Sequence, residues 1–108
     1  MKIYFEQRGG LAGIVRKLVV DTGLPAFSND SARLQSLVEN SKFFALPASV
    51  SGPPPKGAAD YFTYNITIES DDGKRHTVNT TDLTKPEELT QLISYLRNKL
   101  KSQQSSGP

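Results

Sequence analysis

Residues 2–8 and residues 61–70 alternate apolar and polar side chains with a period of two, the pattern of a half-buried β-strand. A β-branched run at 14–21 predicts another strand. The clearest alternation covers residues 61–70. Its apolar side chains point to one face: Phe62, Tyr64, Ile66 and Ile68. These patterns predict a sheet with one apolar face and one polar face.

The turn after residues 61–70 determines how the next strand pairs with it. Asp71-Asp72-Gly73 predicts a three-residue loop whose glycine adopts the left-handed conformation. The resulting register places Ile68 opposite His76 and Ile66 opposite Val78. A two-residue turn would instead put Val78 on the wrong face, so the apolar pattern favours the longer loop.

Two further segments have apolar residues at helical spacing. Ser28-Asn29-Asp30 provides N-cap chemistry for a helix over about 29–41. Thr84 and Glu87 fit a capping box that begins a second helix. The apolar stripe of this second helix consists of Leu89, Leu92, Ile93, Leu96 and Leu100. We expect Phe43, Phe44 and Leu46 to hold the end of the first helix against the core.

The order ββαββα predicts an α+β fold: a four-stranded, mainly antiparallel sheet covered by two helices. A chain of 108 residues suits a single two-layer domain, which we place at residues 1–101. Residues 102–108 are polar, and we expect them to form a disordered tail.

Two loops have unusual compositions. Gly9, Gly10, Leu11, Ala12 and Gly13 join the first two strands, and three glycines in five residues indicate a hairpin connection. The loop at 51–57 contains Pro53, Pro54 and Pro55, which favour a stiff, extended backbone. Leu11 has the largest side chain of the hairpin. It either projects from the tip or folds back onto the sheet or Phe27, and the sequence leaves both arrangements open.

Charge and cysteine content exclude several classes of function. The 13 Lys and Arg residues nearly balance the 11 Asp and Glu residues, and a net charge of +2 gives no strong attraction to nucleic acid or anionic membranes. The absence of cysteine excludes disulfides, thiol nucleophiles and thiolate metal sites. No apolar run has the length of a signal peptide or a membrane span. We therefore expect a cytoplasmic protein, unless it is exported by a non-classical route.

The sequence contains no pattern that indicates catalysis. His76 is the one histidine, which excludes a multi-histidine zinc site, and its position indicates a strand residue facing Ile68. No spacing suggests a nucleophile with a base, and the phosphate-loop pattern is missing. We therefore expect no catalytic residue, metal or cofactor. One alternative is a nucleic-acid-binding module, in which Lys2, Tyr4, Arg8 and Lys17 line one sheet face.

Several runs of the sequence resemble the bacterial emfourin family. They are Phe5-Glu6-Gln7-Arg8-Gly9-Gly10-Leu11-Ala12-Gly13-Ile14, Phe43-Phe44-Ala45-Leu46-Pro47, the strand Tyr61–Glu69, and His76-Thr77-Val78, followed by a helix that begins with Pro86-Glu87-Glu88-Leu89. The resemblance implies a protein inhibitor of thermolysin-like zinc metallopeptidases such as protealysin. It also implies a protein without catalytic groups or cofactors, and we expect a monomer when it is free. A chaperone-like partner of a protease precursor is a second alternative.

An inhibitor needs a rigid domain that presents a preorganised loop to a cleft. The residues expected to bind the partner are those of the two loops: Gly9, Gly10, Leu11, Ala12, Gly13, Pro53, Pro54 and Pro55. Thermolysin-like peptidases resemble one another in favouring a bulky apolar side chain just after the cut bond. Leu11 is therefore the expected anchor.

Overall fold

The computed structural model describes residues 1–9, 14–50, 62–82 and 86–105. Its strands are β1 (Lys2–Gly9), β2 (Ile14–Asp21), β3 (Ser49–Val50), β4 (Phe62–Glu69) and β5 (Arg75–Thr81), and its α-helices are α1 (Ser31–Ser41) and α2 (Thr90–Ser105). One sheet has the strand order β2-β1-β4-β5-β3. The four long strands pair with one another antiparallel, which confirms the predicted α+β fold and the order ββαββα. The structure adds β3, a two-residue strand parallel to β5 that is too short to show a period in sequence.

The hairpin of β4 and β5 has the predicted register. Ile68 pairs with His76 and Ile66 pairs with Val78. Gly73 has a φ of 90°, and the amide of Ser70 donates to the Lys74 carbonyl at 2.8 Å to close the three-residue loop. The apolar alternation therefore determined the pairing of these strands.

Both helices pack on one face of the sheet and leave the other face open. The stacked rings of Phe5 and Tyr64, with centroids 5.8 Å apart, lie at the centre of the core. All five residues of the predicted stripe are buried: Leu92, Ile93, Leu96 and Leu100 on α2, and Leu89 just before the helix. The core is therefore a single layer between sheet and helices.

The prediction for the start of α1 is correct in position but wrong in chemistry. The helix begins at Ser31, with Asp30 at the N-cap position, but the Asp30 side chain makes no capping hydrogen bond. Its carboxylate instead accepts hydrogen bonds from Tyr95 and, at 2.7 Å, from Lys99, both on α2. The acid at this position therefore joins the two helices.

The α-helix α2 begins later than the sequence predicted. A 3-10 turn occupies Glu87–Leu89, with Pro86 before it, and the α-helix begins only at Thr90. Thr84, half of the predicted capping box, lies outside the described residues. The helix continues to Ser105, past the predicted domain end at residue 101, because its last turns contain no glycine or proline. Of the expected tail, only residues 106–108 lie outside the described part of the chain.

The segment after α1 anchors the helix through one of its two phenylalanines. Phe43 is buried and Leu46 packs against the core, as expected. Phe44 is 38% exposed, so the expectation that it too would be held in the core is wrong. Phe43 and Phe44 meet edge to face at the end of the helix, which lets only one of the two rings enter the core.

Candidate functional site

Two of the loops selected from the sequence leave from the same end of the sheet. Gly9, the last residue of β1, pairs with Ile14 on one side and with Phe62 on the other. Val50 of β3 pairs with Thr80 near the end of β5, and Asp82 follows that strand directly. We call this end of the sheet the loop end. It is formed by Gly9, Ile14, Val50, Phe62 and Asp82. Segments 10–13 and 51–61 both begin and finish there, and segment 83–85 begins there.

At the opposite end, β2 continues into residues 22–30, and a tight turn joins β4 to β5. There Lys2 pairs with Asp21 and with Glu69, and Glu69 pairs with Arg75 across the tight turn of β4 and β5. We call this end of the sheet the turn end. It is formed by Lys2, Asp21, Glu69 and Arg75. The glycine-rich and proline-rich loops therefore both leave from the end of the sheet opposite this one.

Most of the predicted partner-binding residues lie outside the described residues. This applies to Gly10, Leu11, Ala12 and Gly13, and to Pro53, Pro54 and Pro55. Gly9 is described. The structure thus brings the flanks of both predicted loops together, and the assignment of Leu11 as the anchor stays a prediction.

Gly9 is suited to its place between two strands. Its φ is 126°, a backbone conformation that a side chain would strain. It is also the residue at which β1 is paired on both sides before the hairpin connection begins. The glycine therefore lets the chain leave the centre of the sheet without breaking its pairing.

Ile14 adds an apolar surface to the loop end that the sequence analysis did not assign to the site. It is 51% exposed, and it is the first residue of the edge strand β2. A β-branched residue directly after a glycine-rich connection was the signal in the sequence. Its exposure depends on α2 leaving this corner of the sheet uncovered, which no local pattern shows.

A hydrogen-bonded cluster fixes the first residues of β4. The Asp82 carboxylate accepts hydrogen bonds from the Tyr64 hydroxyl and, at 3.2 Å, from the Phe62 amide. The Asp82 amide donates in turn to the Phe62 carbonyl at 3.0 Å. Burial, reinforced by the Asp82 carboxylate, raises the pKa of Tyr64 well above its ordinary value, so the hydroxyl remains a donor. Segment 51–61 therefore ends at a rigid position.

Positive charge surrounds the same corner of the molecule. The Arg97 guanidinium lies over the Phe62 ring, 5.1 Å from its centroid, and 6.0 Å from that of Tyr64. Arg16 lies nearby on β2, and Lys101 lies one turn beyond Arg97 on α2. The loop end thus combines an exposed isoleucine with cationic side chains, a mixture suited to contact with another protein.

The residues proposed for nucleic-acid binding do lie on the open face, but acids are interleaved with them. Glu6 pairs with Lys17 in the sheet and forms an ion pair of 3.2 Å with Arg8. Glu69 neutralises Arg75 at 2.9 Å on the same face. This face therefore lacks the continuous positive stripe that a phosphate backbone requires.

His76 has a structural environment. It lies opposite Ile68 as predicted, its Nε2 donates to the Leu46 carbonyl at 2.6 Å, and its ring meets Phe43 edge to face. Within residues 1–9, 14–50, 62–82 and 86–105, no three histidine, aspartate or glutamate side chains are grouped as metal ligands would be. No helix in the described part of the chain is both long and apolar enough to cross a membrane.

Comparison with known proteins gives one result. The family model described as Emfourin matches residues 5–97, which include β1 from Phe5 onward, the hairpin connection, the proline-rich loop, and α2 as far as Arg97. No curated protein and no solved structure matches the chain.

Proposed function

The chain belongs to the emfourin family, and from this premise we propose that it inhibits thermolysin-like zinc metallopeptidases such as protealysin by placing its loop end against the enzyme's active-site cleft. Membership of this inhibitor family indicates a protease-inhibitor role and a protein that is not an enzyme. The finer statement, that the target is thermolysin-like and the contact is made by the loops, is the proposal.

The observation that carries the proposal is the convergence of both predicted loops at one end of a rigid sheet. Gly9 is paired with Ile14 and with Phe62, so the glycine-rich and proline-rich connections leave from adjacent strands. A cleft-blocking inhibitor needs contacts that are close together and held by a scaffold. The loop end meets this requirement, whereas the turn end does not.

The scaffold beneath the loops lowers the entropy that binding would otherwise cost. The Tyr64 and Asp82 side chains fix the start of β4, and the full pairing of β1 fixes the start of the hairpin connection. Each side chain that becomes immobilised on binding costs about 0.5–1.5 kcal/mol of binding free energy. Loops whose two ends are already fixed in the free protein therefore lose less affinity than loops with free ends.

A titration of active peptidase with the full chain tests the proposal. We expect hydrolysis of a peptide substrate to fall to near zero as the chain reaches a stoichiometric excess. Undiminished hydrolysis at a large excess of the chain would contradict the proposal. The same titration with the peptidase precursor separates the chaperone-like alternative, because a chaperone-like partner would bind the precursor and leave the mature enzyme active.

A further inference from the structure

A small pocket lies between the loop end of the sheet and the C-terminal half of α2. Its volume is about 140 Å³. It is lined by Gln7, Arg16, Phe62, Arg97, Leu100 and Lys101. The pocket thus combines apolar walls with three cationic side chains and one amide, at the corner that carries the proposed inhibitory loops.

Gln7 carries an unused hydrogen-bond acceptor in this pocket. The residue is 6% exposed, and its Oε1 has no hydrogen-bond partner among the described residues. An unpaired polar atom in a buried position destabilises the fold, and methionine would fill the same volume without that penalty. The acceptor is thus buried without a donor in the described part of the chain.

The arginines that surround Gln7 are positioned for an anion. Arg16 lies directly opposite Gln7 in the register of β1 and β2, and Arg97 is stacked over the Phe62 ring. Neither arginine has an ion-pair partner in the described part of the chain. A guanidinium can bind a carboxylate through two parallel hydrogen bonds.

We propose that this pocket receives an aspartate or glutamate side chain of the inhibited peptidase, an inference that rests on the proposed function. The carboxylate binds Arg16 and Arg97, and its methylene groups contact the rims formed by Phe62 and Leu100. A backbone N–H next to the acidic residue donates to Gln7 Oε1. The pocket thereby fixes the orientation in which the loops enter the cleft.

The chemistry of Gln7 favours an acidic protein segment over a phosphodiester group. A phosphodiester would satisfy the arginines, but it carries no hydrogen to donate at neutral pH, so Gln7 Oε1 would stay unpaired. A peptide carries both a carboxylate and N–H groups. The combination of two arginines and a buried acceptor therefore matches a peptide.

The test compares the inhibition constants of single variants against a thermolysin-like peptidase. Arg16→Gln and Arg97→Gln should each weaken inhibition by at least about tenfold, because each leaves a buried carboxylate poorly compensated. Arg75→Gln is the matched control, since it removes one positive charge at the turn end, where Arg75 is paired with Glu69. It should change the inhibition constant by less than about twofold.

Gln7→Met provides a readout that a structural role would not produce. It should weaken inhibition while leaving the melting temperature equal or higher, because it removes an unpaired buried acceptor. Arg97→Lys, which keeps the charge but not the planar fork, should weaken inhibition almost as much as Arg97→Gln.

Three results would overturn the assignment. If the inhibition constants of Arg16→Gln and Arg97→Gln both lie within about twofold of that of Arg75→Gln, the proposed role of the pocket is wrong. The proposed inhibitory function would stand in that case, because the parent would still inhibit. No inhibition by the parent would contradict the proposed function and the occupant together. Binding of a single-stranded oligonucleotide that both glutamine variants abolish would assign the pocket to phosphate instead.

Discussion

Tyr64 of β4 donates its hydroxyl hydrogen to the carboxylate of Asp82, the residue that follows β5. The bond spans the loop end, where it connects the start of one strand to the exit from its neighbour. Because Tyr64 is fully buried, its hydroxyl depends on this partner to compensate for lost water.

Tyr64→Phe should therefore lower the free energy of unfolding by about 1–2 kcal/mol, since the Asp82 carboxylate loses a donor in a partly buried site. Denaturant unfolding monitored by circular dichroism measures the change. Tyr4→Phe is the matched control, because Tyr4 lies on the open face and its hydroxyl makes no hydrogen bond to the described residues. Equal stabilities of the two variants would show that the bond to Asp82 does not stabilise the fold.

Gly73→Val should destabilise the fold by about 1–2 kcal/mol through the backbone alone. The φ of Gly73 is 90°, and a Cβ there would meet no atom within 4 Å, so steric clash with neighbours does not contribute. Gly73→Asn should cost less, because asparagine tolerates the left-handed region better than a β-branched residue. A valine variant with the unfolding midpoint of the parent would contradict the turn conformation.

The carboxylate of Asp30 should make stability depend on acid pH. Its hydrogen bonds from Lys99 and from Tyr95 hold the pKa of Asp30 below its ordinary value of 3.8. A lowered pKa in the folded state stabilises the protein above the unfolded value, and this contribution is lost as the pH falls below 3.8. Asp30→Asn should thus be less stable than the parent at about pH 6, and the difference should shrink by about pH 2.5.

Tyr95, which donates to Asp30, should make the stability of the fold depend on alkaline pH. Burial and the Asp30 carboxylate raise the pKa of Tyr95 from its ordinary value of 10.0 to about 12. This contribution is complete below pH 10.0 and is lost as the pH rises through about 12. A stability difference between parent and Asp30→Asn that stays constant from acid to neutral pH would contradict the interaction of Asp30 with α2.

Leu11→Ala should weaken inhibition by roughly thirtyfold, the equivalent of about 2 kcal/mol for an apolar anchor buried in a pocket of the enzyme. The melting temperature should hardly change. Leu24→Ala is the matched control, because Leu24 is 49% exposed and follows β2 beyond the turn end. Its inhibition constant should equal that of the parent.

Two outcomes would remove Leu11 from the proposed surface. A variant that melts early yet inhibits normally would assign Leu11 to the core, where leucine-to-alanine changes cost about 2–5 kcal/mol. A variant that both melts and inhibits like the parent would move the anchor elsewhere, with the loop containing Pro53, Pro54 and Pro55 as the next candidate.

The parts of the fold that the sequence predicted are those governed by short-range patterns. The pairing of Ile68 with His76 followed from alternation and one glycine, and the stripe on α2 followed from helical spacing. The parts it missed depend on contacts between distant residues. Asp30 looked like a helix cap because capping is local, but its partners Tyr95 and Lys99 lie on the other helix.

The same distinction explains what the sequence revealed of the site. Composition alone selected the two loops, because glycine and proline runs are local signals. That both loops leave from Gly9 and its neighbour Phe62 depends on the strand order, and the position of Arg97 over Phe62 depends on how α2 crosses the sheet. The burial of Gln7 depends in the same way on where α2 packs, and the sequence analysis did not select this residue.

The most direct test of the central claim is amide hydrogen exchange of the full chain, measured alone and with a catalytically inactivated thermolysin-like peptidase. We predict slower exchange in peptides that cover residues 9–14 and 56–63 when the peptidase is present, and unchanged exchange in the turn at 70–75. Protection of the turn end or of the open face around Tyr4, with unchanged exchange at the loop end, would contradict the account.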